Sequence, residues 1–577
     1  MKKLMPYIKP YMWIIIVTLA LKFLATTAEL MIPRLMQTII DTTVPAIKNG
    51  ASMSQVYMMG GIMLLFAVFA LVCHIISNRL GAYSGGKVTQ KLRYDLFEKL
   101  GKLSARQMDK LTTSSAVSRL TSDTYNFNQL LTRIQRIGIR GPILLVGGII
   151  MMLSMDLQLS LVLIGLLPII SITVILVTRK TVPLFGKAQE IQDDIVRVCQ
   201  ENITGIRVIK ALSKTEYEKE RFHKVNNEHS ATSQKAAMIN NITSPITSIT
   251  MNLGLTLVVV AGAFRVNSGA IESGVIVAFL QYFTKILMAT MGITRIFIMW
   301  SKGEASAKRI ADVLELDEDL QVEDLPYKEE NAPHIEFRDV CFSYTGVDND
   351  LEDISFKLQH GQTLGILGPT GSGKSTIINL LLRLYDADSG KVLIDGRDIR
   401  GIDYETLREK FGVVFQNDFV TEGTISHNIS FFRDLTVEDM EKGAENAQAA
   451  EFIREKDGHM EAEVTIRGNN LSGGQKQRLL ISRALAANPE ILVLDDSSSA
   501  LDYKTDANLR RALRENYRNT TTVLIAQRVS SLRHADLILV LDNGKIIGAG
   551  DHDHLMETCD EYRIIAETQM GEGKEAV

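Results

Sequence analysis

Six apolar stretches run through the first half of the chain, at about residues 12–32, 57–77, 138–155, 157–178, 246–264 and 275–300. A helix rising 1.5 Å per residue needs about 20 residues to cross a ~30 Å hydrocarbon layer, and each stretch is of that order. The apolar side chains go round the whole helix instead of down one stripe, so burial in a soluble bundle does not account for them. The first half therefore reads as an all-α, six-helix transmembrane domain in a lipid bilayer. The earliest stretch follows the basic MKKLMPYIKPYMW as a signal peptide would, but it contains Lys22 and Glu29 and has no small-residue cleavage site. It reads as a retained membrane helix.

The connections between stretches are unequal. Residues 78–137 and 179–245 are long and basic, with Lys87, Lys91, Arg93, Lys99, Lys102, Arg179, Lys180, Arg207 and Lys210, whereas the opposite connections carry little beyond Lys48 and Arg265. The positive-inside rule puts the long loops and both termini in the cytoplasm of a multi-pass plasma-membrane protein. The loops read as helices continuing into water, and 114–130 and 201–222 read as patches that dock on another domain. The net charge of −4 gives no sign of nucleic-acid binding, and the four scattered cysteines show neither disulfide nor zinc spacing.

At 577 residues the chain exceeds one core, and its composition changes past Trp300. Charge and prolines mark a linker, which sets a membrane domain at 1–320, a linker at 321–335 and a soluble α/β P-loop ATPase domain at 336–577. The strand QTLGILG runs into GPTGSGKST (368–376) and then an apolar helix, the strand-loop-helix setting a P-loop requires. Backbone amides around Thr370, Gly371, Ser372, Gly373 and Thr376 can wrap phosphate oxygens at a helix N-terminus. Lys374 can reach the outer phosphates and Ser375 can bind Mg2+. The expected ligands are ATP and Mg2+.

A second apolar strand, ILVLDDSSSALD (491–502), ends in two acids, Asp495 and Asp496. The segment LSGGQKQR (471–478) has the serine and glycines of a helix start that receives a phosphate, but it lies about a hundred residues after the P-loop.

These motifs, in this order, resemble the exporter-type ABC transporters over nearly the full chain, as a half-transporter with six membrane helices and one nucleotide-binding domain. The resemblance implies that Tyr344 stacks on adenine and that Gln416 senses Mg2+ as a metal-site residue with Ser375. It implies that Asp495 ends the metal-binding strand and that Ser499 to Asp502 form a dimer-contacting loop. It also implies that Leu471, Ser472, Gly473, Gly474 and Gln475 face the ATP held by a second half-transporter subunit.

Three departures from the family pattern carry more information than the matches. Asp496 stands where the family has a catalytic Glu, and Gln527, in IAQR, stands where it has a switch His. Thr465 and Ile466 replace a Gly-Glu pair just before the signature. Together they resemble the degenerate-site subunit of heterodimeric bacterial multidrug exporters, whose partner keeps Glu and His. An aspartate pulls the carboxylate back by one carbon-carbon bond, and misplacement by about 1 Å can cost on the order of 10²-fold in rate. A glutamine amide can hydrogen-bond a phosphate but carries neither the charge nor the proton of an imidazolium. The expectation is a subunit that binds ATP well, hydrolyses it slowly, and helps move a small amphipathic or lipophilic compound. A lipid or peptide exporter, an importer, or an ATP-gated channel or regulatory subunit are the alternatives. Lys22, Glu29, His74, Lys285 and Arg295 lie in or near apolar spans and are candidates for lining a pathway, with snorkelling to the interface the equal alternative for Lys285 and Arg295.

Overall fold

The computed structural model describes residues 2–48, 50, 52–317, 319–325, 331–416, 419–497 and 500–571. The chain divides into two compact units, one made of residues 1–101 and 114–316, the other of residues 102–113 and 317–577.

In the first unit the six apolar stretches fall in α1 (Met12–Thr38), α2 (Ser54–Lys102), α3 (Arg140–Met155), α4 (Leu157–Thr204), α6 (Thr243–Asn267) and α7 (Ser273–Leu314), while α5 (Thr215–Asn241) is a polar helix leading into α6. Six helical segments among the described residues are long and apolar enough to cross a membrane. The polar parts of α2, α4 and α7 carry the helices well past the apolar runs, as the sequence anticipates for the long loops. Along α2, Leu64, Leu65, Val68, Phe69 and Val72 are exposed, the pattern of a helix whose solvent there is lipid.

With no hydrophobic drive between helices in lipid, close packing holds the bundle, and small residues permit it. Leu30 of α1, Leu144 and Met152 of α3, Leu166 of α4, Val258 of α6 and Phe279, Phe283 and Ile286 of α7 form one buried cluster. At Gly254 an added Cβ would sit 2.7 Å from Leu166 and 2.9 Å from Phe283, so α6 approaches α4 and α7 only because that side chain is missing. Tyr282 donates its hydroxyl proton to the Leu30 carbonyl at 2.7 Å, which satisfies both groups inside the bundle. At the opposite connection, Asp156 caps α4 by accepting from the Leu159 amide at 2.9 Å and pairs with Arg265 at 2.6 Å.

The second unit is α/β. A six-stranded sheet has the order β10-β9-β3-β8-β7-β6, built from β3 (Thr363–Leu367), β6 (Phe411–Val414), β7 (Ile491–Asp495), β8 (Thr521–Ile525), β9 (Leu537–Asp542) and β10 (Lys545–Gly550). All neighbours pair in parallel except β9 with β10. The central strands are apolar and buried on both faces, as parallel strands covered by helices must be. A smaller antiparallel sheet, β2-β1-β4-β5, is made of β1 (Ile335–Phe342), β2 (Leu351–Leu358), β4 (Ser389–Ile394) and β5 (Arg397–Asp398). Helices α8 (Lys374–Leu381), α9 (Gly473–Ala486) and α10 (Tyr503–Asn516) complete the elements that frame the site.

Two short segments, 104–111 and 319–325, are tied into the second unit. The patch 114–130 belongs to the first unit, while the short helix Ala105–Leu111 just before it folds with the second. Ser104 caps that helix in a reciprocal box with Gln107, Gln107 Nε2 donates to the Asp317 carbonyl at 2.7 Å, and Tyr385 donates to Asp109 at 2.5 Å. The acidic linker is also no free spacer along 319–325. The guanidinium of the fully buried Arg383 donates to the Gln321 carbonyl at 2.7 Å, the Glu323 amide to the Arg400 carbonyl at 2.9 Å, and Ser104 Oγ to Asp319 at 2.8 Å.

Candidate nucleotide site

A cavity of about 310 Å3 opens at the carboxyl ends of β3, β7 and β8, where parallel sheets place their ligands. Its walls come from five places in the sequence: Tyr344 and Asp350 after β1, the P-loop after β3, Gln416 after β6, Asp495 and Asp496 at the end of β7, and Gln527 after β8.

The P-loop takes its shape from glycines. Gly371 and Gly373 have φ of 86° and 98°, and a Cβ on Gly373 would lie 2.5 Å from Leu351 and 3.0 Å from the Asp350 carbonyl. Lys374 Nζ donates to the Gly368 and Pro369 carbonyls at 2.9 and 2.6 Å, which holds the ammonium over the loop. Burial lowers the Lys374 pKa, against the pull of Asp495 and Asp496. Thr370 and Ser375 line the cavity, as does Thr376 at the start of α8. Ser372 is buried, and its hydroxyl makes no hydrogen bond among the described residues.

Asp495 is the last residue of the fully buried strand β7 and accepts from Ser375 Oγ at 3.0 Å. Burial raises its pKa and Asp496 adds to this, while the Ser375 hydrogen bond and Lys374 act the other way. Asp496 sits just past the strand in the left-handed region, with φ of 48°, and its amide donates to the Ile525 carbonyl at 3.1 Å. Because β7 and β8 pair in parallel with Asp495 opposite Ile525, the residues that follow each strand emerge side by side. Gln527 Nε2 accordingly donates to Asp496 Oδ2 at 2.9 Å. The two departures from the family pattern are thus in direct contact.

Tyr344 is held by its edges. Its ring meets Phe342 and Tyr385 nearly at right angles, with centroids 4.8 and 5.1 Å away, and its hydroxyl accepts from Asn379 Nδ2 at 2.9 Å. Its amide donates to Asp350 at 2.8 Å. Sequence reasoning singled out Tyr344 and missed Asp350, Asn379 and Tyr385. Asn379 lies in the helix five residues past Lys374, and that proximity was the available signal.

The signature residues do not line this cavity. Leu471 is buried beneath them, and Ser472 starts α9 in a capping box with Gln475, whose amide donates to Ser472 Oγ at 3.3 Å while Gln475 Oε1 accepts from the Ser472 amide at 3.0 Å. Gly473 and Gly474 begin the helix, and an added Cβ on Gly474 would meet only the Ala500 carbonyl, at 3.2 Å. The helix start therefore offers first-turn amides with no side chain in front of them. Asp502 caps α10, accepting from the Thr505 amide at 2.9 Å and its hydroxyl at 2.7 Å, which lowers its pKa. Ser499 lies outside the described residues. Thr465 bonds Asn470 through its amide at 3.1 Å, and Ile466 is exposed beside it.

Comparison with known proteins agrees with the geometry. Residues 15–291 match the family model of the ABC transporter transmembrane region, and residues 351–499 match the family model described as ABC transporter. The ABC transporter ATP-binding protein YfiB of Bacillus subtilis is 33% identical, with 100% of each chain covered. A probable multidrug resistance ABC transporter ATP-binding/permease protein, YheH of the same organism, is 31% identical over 88% of this chain and 76% of its own. Among solved structures, a bacterial Atm1-family ABC exporter with ATP bound shares the fold, with a TM-score of 0.79 at 24% identity, covering 99% of this chain and 98% of that one. A P-loop cavity at the strand ends, a separate LSGGQ helix start and six apolar helices in one polypeptide thus coincide with full-length similarity, and the chain belongs to the ABC transporter family, as an exporter-type half-transporter with one membrane domain and one ATP-binding domain.

Proposed function

We propose that this chain is the catalytically weak subunit of a heterodimeric, ATP-driven exporter of amphipathic or lipophilic compounds, its nucleotide domain and termini facing the cytoplasm. The observation that carries the proposal is the hydrogen bond between Gln527 and Asp496. The amide holds the Asp496 carboxylate in one position, and that carboxylate sits one carbon-carbon bond short of where a glutamate would place it. The residues that bind nucleotide are unaltered. Tyr344 offers a face for adenine, the P-loop amides and Lys374 surround the phosphates, and association is kept while the general base is set back from the attacking water.

The oxygens of Ser375, Asp495 and Gln416 form a hard donor set that suits Mg2+, and the Ser375 to Asp495 bond shows two of them already within reach of each other. The ion would offset phosphate charge there. The chain's own contribution is to orient the phosphates and, through Gln527, to hold the Asp496 side chain.

The signature at Ser472 to Gln475 retains its cap and its bare glycines, so it is fit to complete a site on the partner, a second half-transporter with Glu and His at the altered positions. Sequence similarity to a protein named as a probable multidrug transporter supports the substrate class. The test is direct. Purified alone, this chain should bind ATP with ordinary affinity and turn it over at least about 10²-fold more slowly than with its partner. Brisk turnover alone, abolished by Lys374→Ala, overturns the proposal.

A further inference from the structure

The six apolar stretches contain four cations, Lys22, Arg140, Lys285 and Arg295, and a single acid, Glu29. The side chain of Arg295 lies outside the described residues; the other four gather in one place in the first unit. Glu29 of α1 accepts from Arg140 of α3 at 2.9 Å and again at 3.0 Å, and from Lys285 of α7 at 3.5 Å. His74 of α2 stands 3.6 Å from the same carboxylate. Lys22, two turns before Glu29 on α1, donates to the neutral Asn78 of α2 at 3.0 Å and lies within electrostatic reach of Arg140 and of Arg136. One carboxylate is therefore shared by several cations, and the cluster carries a net positive charge.

The depth makes that imbalance informative. Counted at 1.5 Å per residue from the ends of their helices opposite the long loops, Lys285 and Arg140 sit about 18 and 22 Å in, inside a ~30 Å hydrocarbon layer. Charged groups at such depth are expensive unless they face a bundle interior or water, and they characteristically mark ligand pathways. The Arg140 side chain is 42% exposed and that of Lys285 25% exposed, so both keep surface for a further partner beside Glu29. Lys22 is buried at 3% and cannot escape to the interface.

We propose that this cluster is an anion-binding subsite of the transport pathway, and that the transported compound is an amphiphile with an anionic head, such as a sulfonate, carboxylate or phosphate, on an apolar tail. Arg140 and Lys285 supply the head-group donors, Glu29 holds them in place and is the group that penalises cationic compounds least, and the surrounding apolar side chains take the tail. This deepens the exporter reading and rests on it.

The test uses the full chain in phosphatidylcholine nanodiscs and three twelve-carbon probes below their micelle concentrations: N-lauroyl taurate (anionic), N-lauroyl ethanolamine (neutral) and dodecyltrimethylammonium (cationic). After subtraction of empty nanodiscs, the anion should bind at least about tenfold more tightly than either other probe. Arg140→Gln with Lys285→Gln should remove that preference, and Glu29→Gln should strengthen it. Displacement of N-lauroyl taurate by phosphatidylglycerol added to the nanodisc identifies a lipid head group as the source, and its persistence identifies a soluble amphiphile; both agree with the proposal. Equal or tighter binding of the cation by the unaltered chain overturns it without any variant, as does an anion preference that survives the Arg140 and Lys285 changes in protein that melts normally. ATP-dependent flux of a neutral or cationic compound into sealed vesicles, with no anion preference, would leave the exporter standing and remove only this substrate class.

Discussion

Asp496 and Gln527 meet because two parallel strands end at the same level, so a change at either position alters the setting of the other. Restoring one alone leaves a mixed pair, and the effects of groups that act as a unit do not add. Elsewhere in the same domain, burial and neighbouring charge act on a histidine. His334 is fully buried, its Nδ1 lies 2.6 Å from Thr521 Oγ1, and its ring stacks on His360 at 3.8 Å between centroids. Burial, with His360 and Lys410 assisting against Asp395 and Glu490, pushes its pKa down to about 4. An unfolded histidine titrates near 6.5, so on acidification the unfolded chain takes up the proton first. The stability of the neutral ring is complete above about pH 6.5 and is lost as pH falls toward 4, by up to about 3 kcal/mol. The thermal midpoint should therefore drop more between pH 7 and pH 5 in the natural chain than in His334→Gln; identical drops would show that the ring does not titrate this way.

At the scale of elements, the helix Ala105–Leu111 reaches the nucleotide cavity through two contacts. Asp109 accepts from Tyr385, and Tyr385 supports the edge of Tyr344. Removing that hydroxyl deletes a hydrogen bond to a charged group, worth about 1.5–3 kcal/mol. Tyr385→Phe should make amide exchange within 105–111 about tenfold faster or more, by hydrogen-exchange mass spectrometry, and Asp109→Ala should add nothing further. Unchanged exchange would mean that the remaining contacts, the Ser104 and Gln107 bonds, the Arg106 to Asp388 pair and the packing of Ala105, are enough to hold the helix. This element was poorly legible in the sequence, since Asp109 and Tyr385 are 276 positions apart and belong to no shared motif. The one local signal was Ser104 followed by Gln107, a capping pattern. By contrast, the P-loop was readable because its chemistry is contiguous: glycines, Lys374 and Ser375 lie on one loop between one strand and one helix. Glu29 and Lys22 could be flagged by their helical spacing, and Arg140 by its place in an apolar stretch, but the pairing of Arg140 with Glu29 could be found only once α1 and α3 were placed side by side.

For the whole molecule, the proposed heterodimer has two surfaces of this chain serving two different ATP sites, one through the P-loop cavity and one through the bare start of α9. Gly474→Asp places a carboxylate where a phosphate would meet the first-turn amides, and it should lower the ATPase rate of the pair by about 100-fold while leaving ATP binding by this chain's P-loop intact. A small loss would place the productive site elsewhere. The central claim is that this chain's own site retains nucleotide and contributes little hydrolysis. The most direct measurement is the ATPase rate of the reconstituted pair after the partner's catalytic Glu is changed to Gln, with and without Asp496→Glu plus Gln527→His in this chain. The predicted result is a rate near background that rises at least about tenfold when both residues are restored. A silenced pair that still turns over at close to its original rate would show that Asp496 is a competent base and would contradict the account.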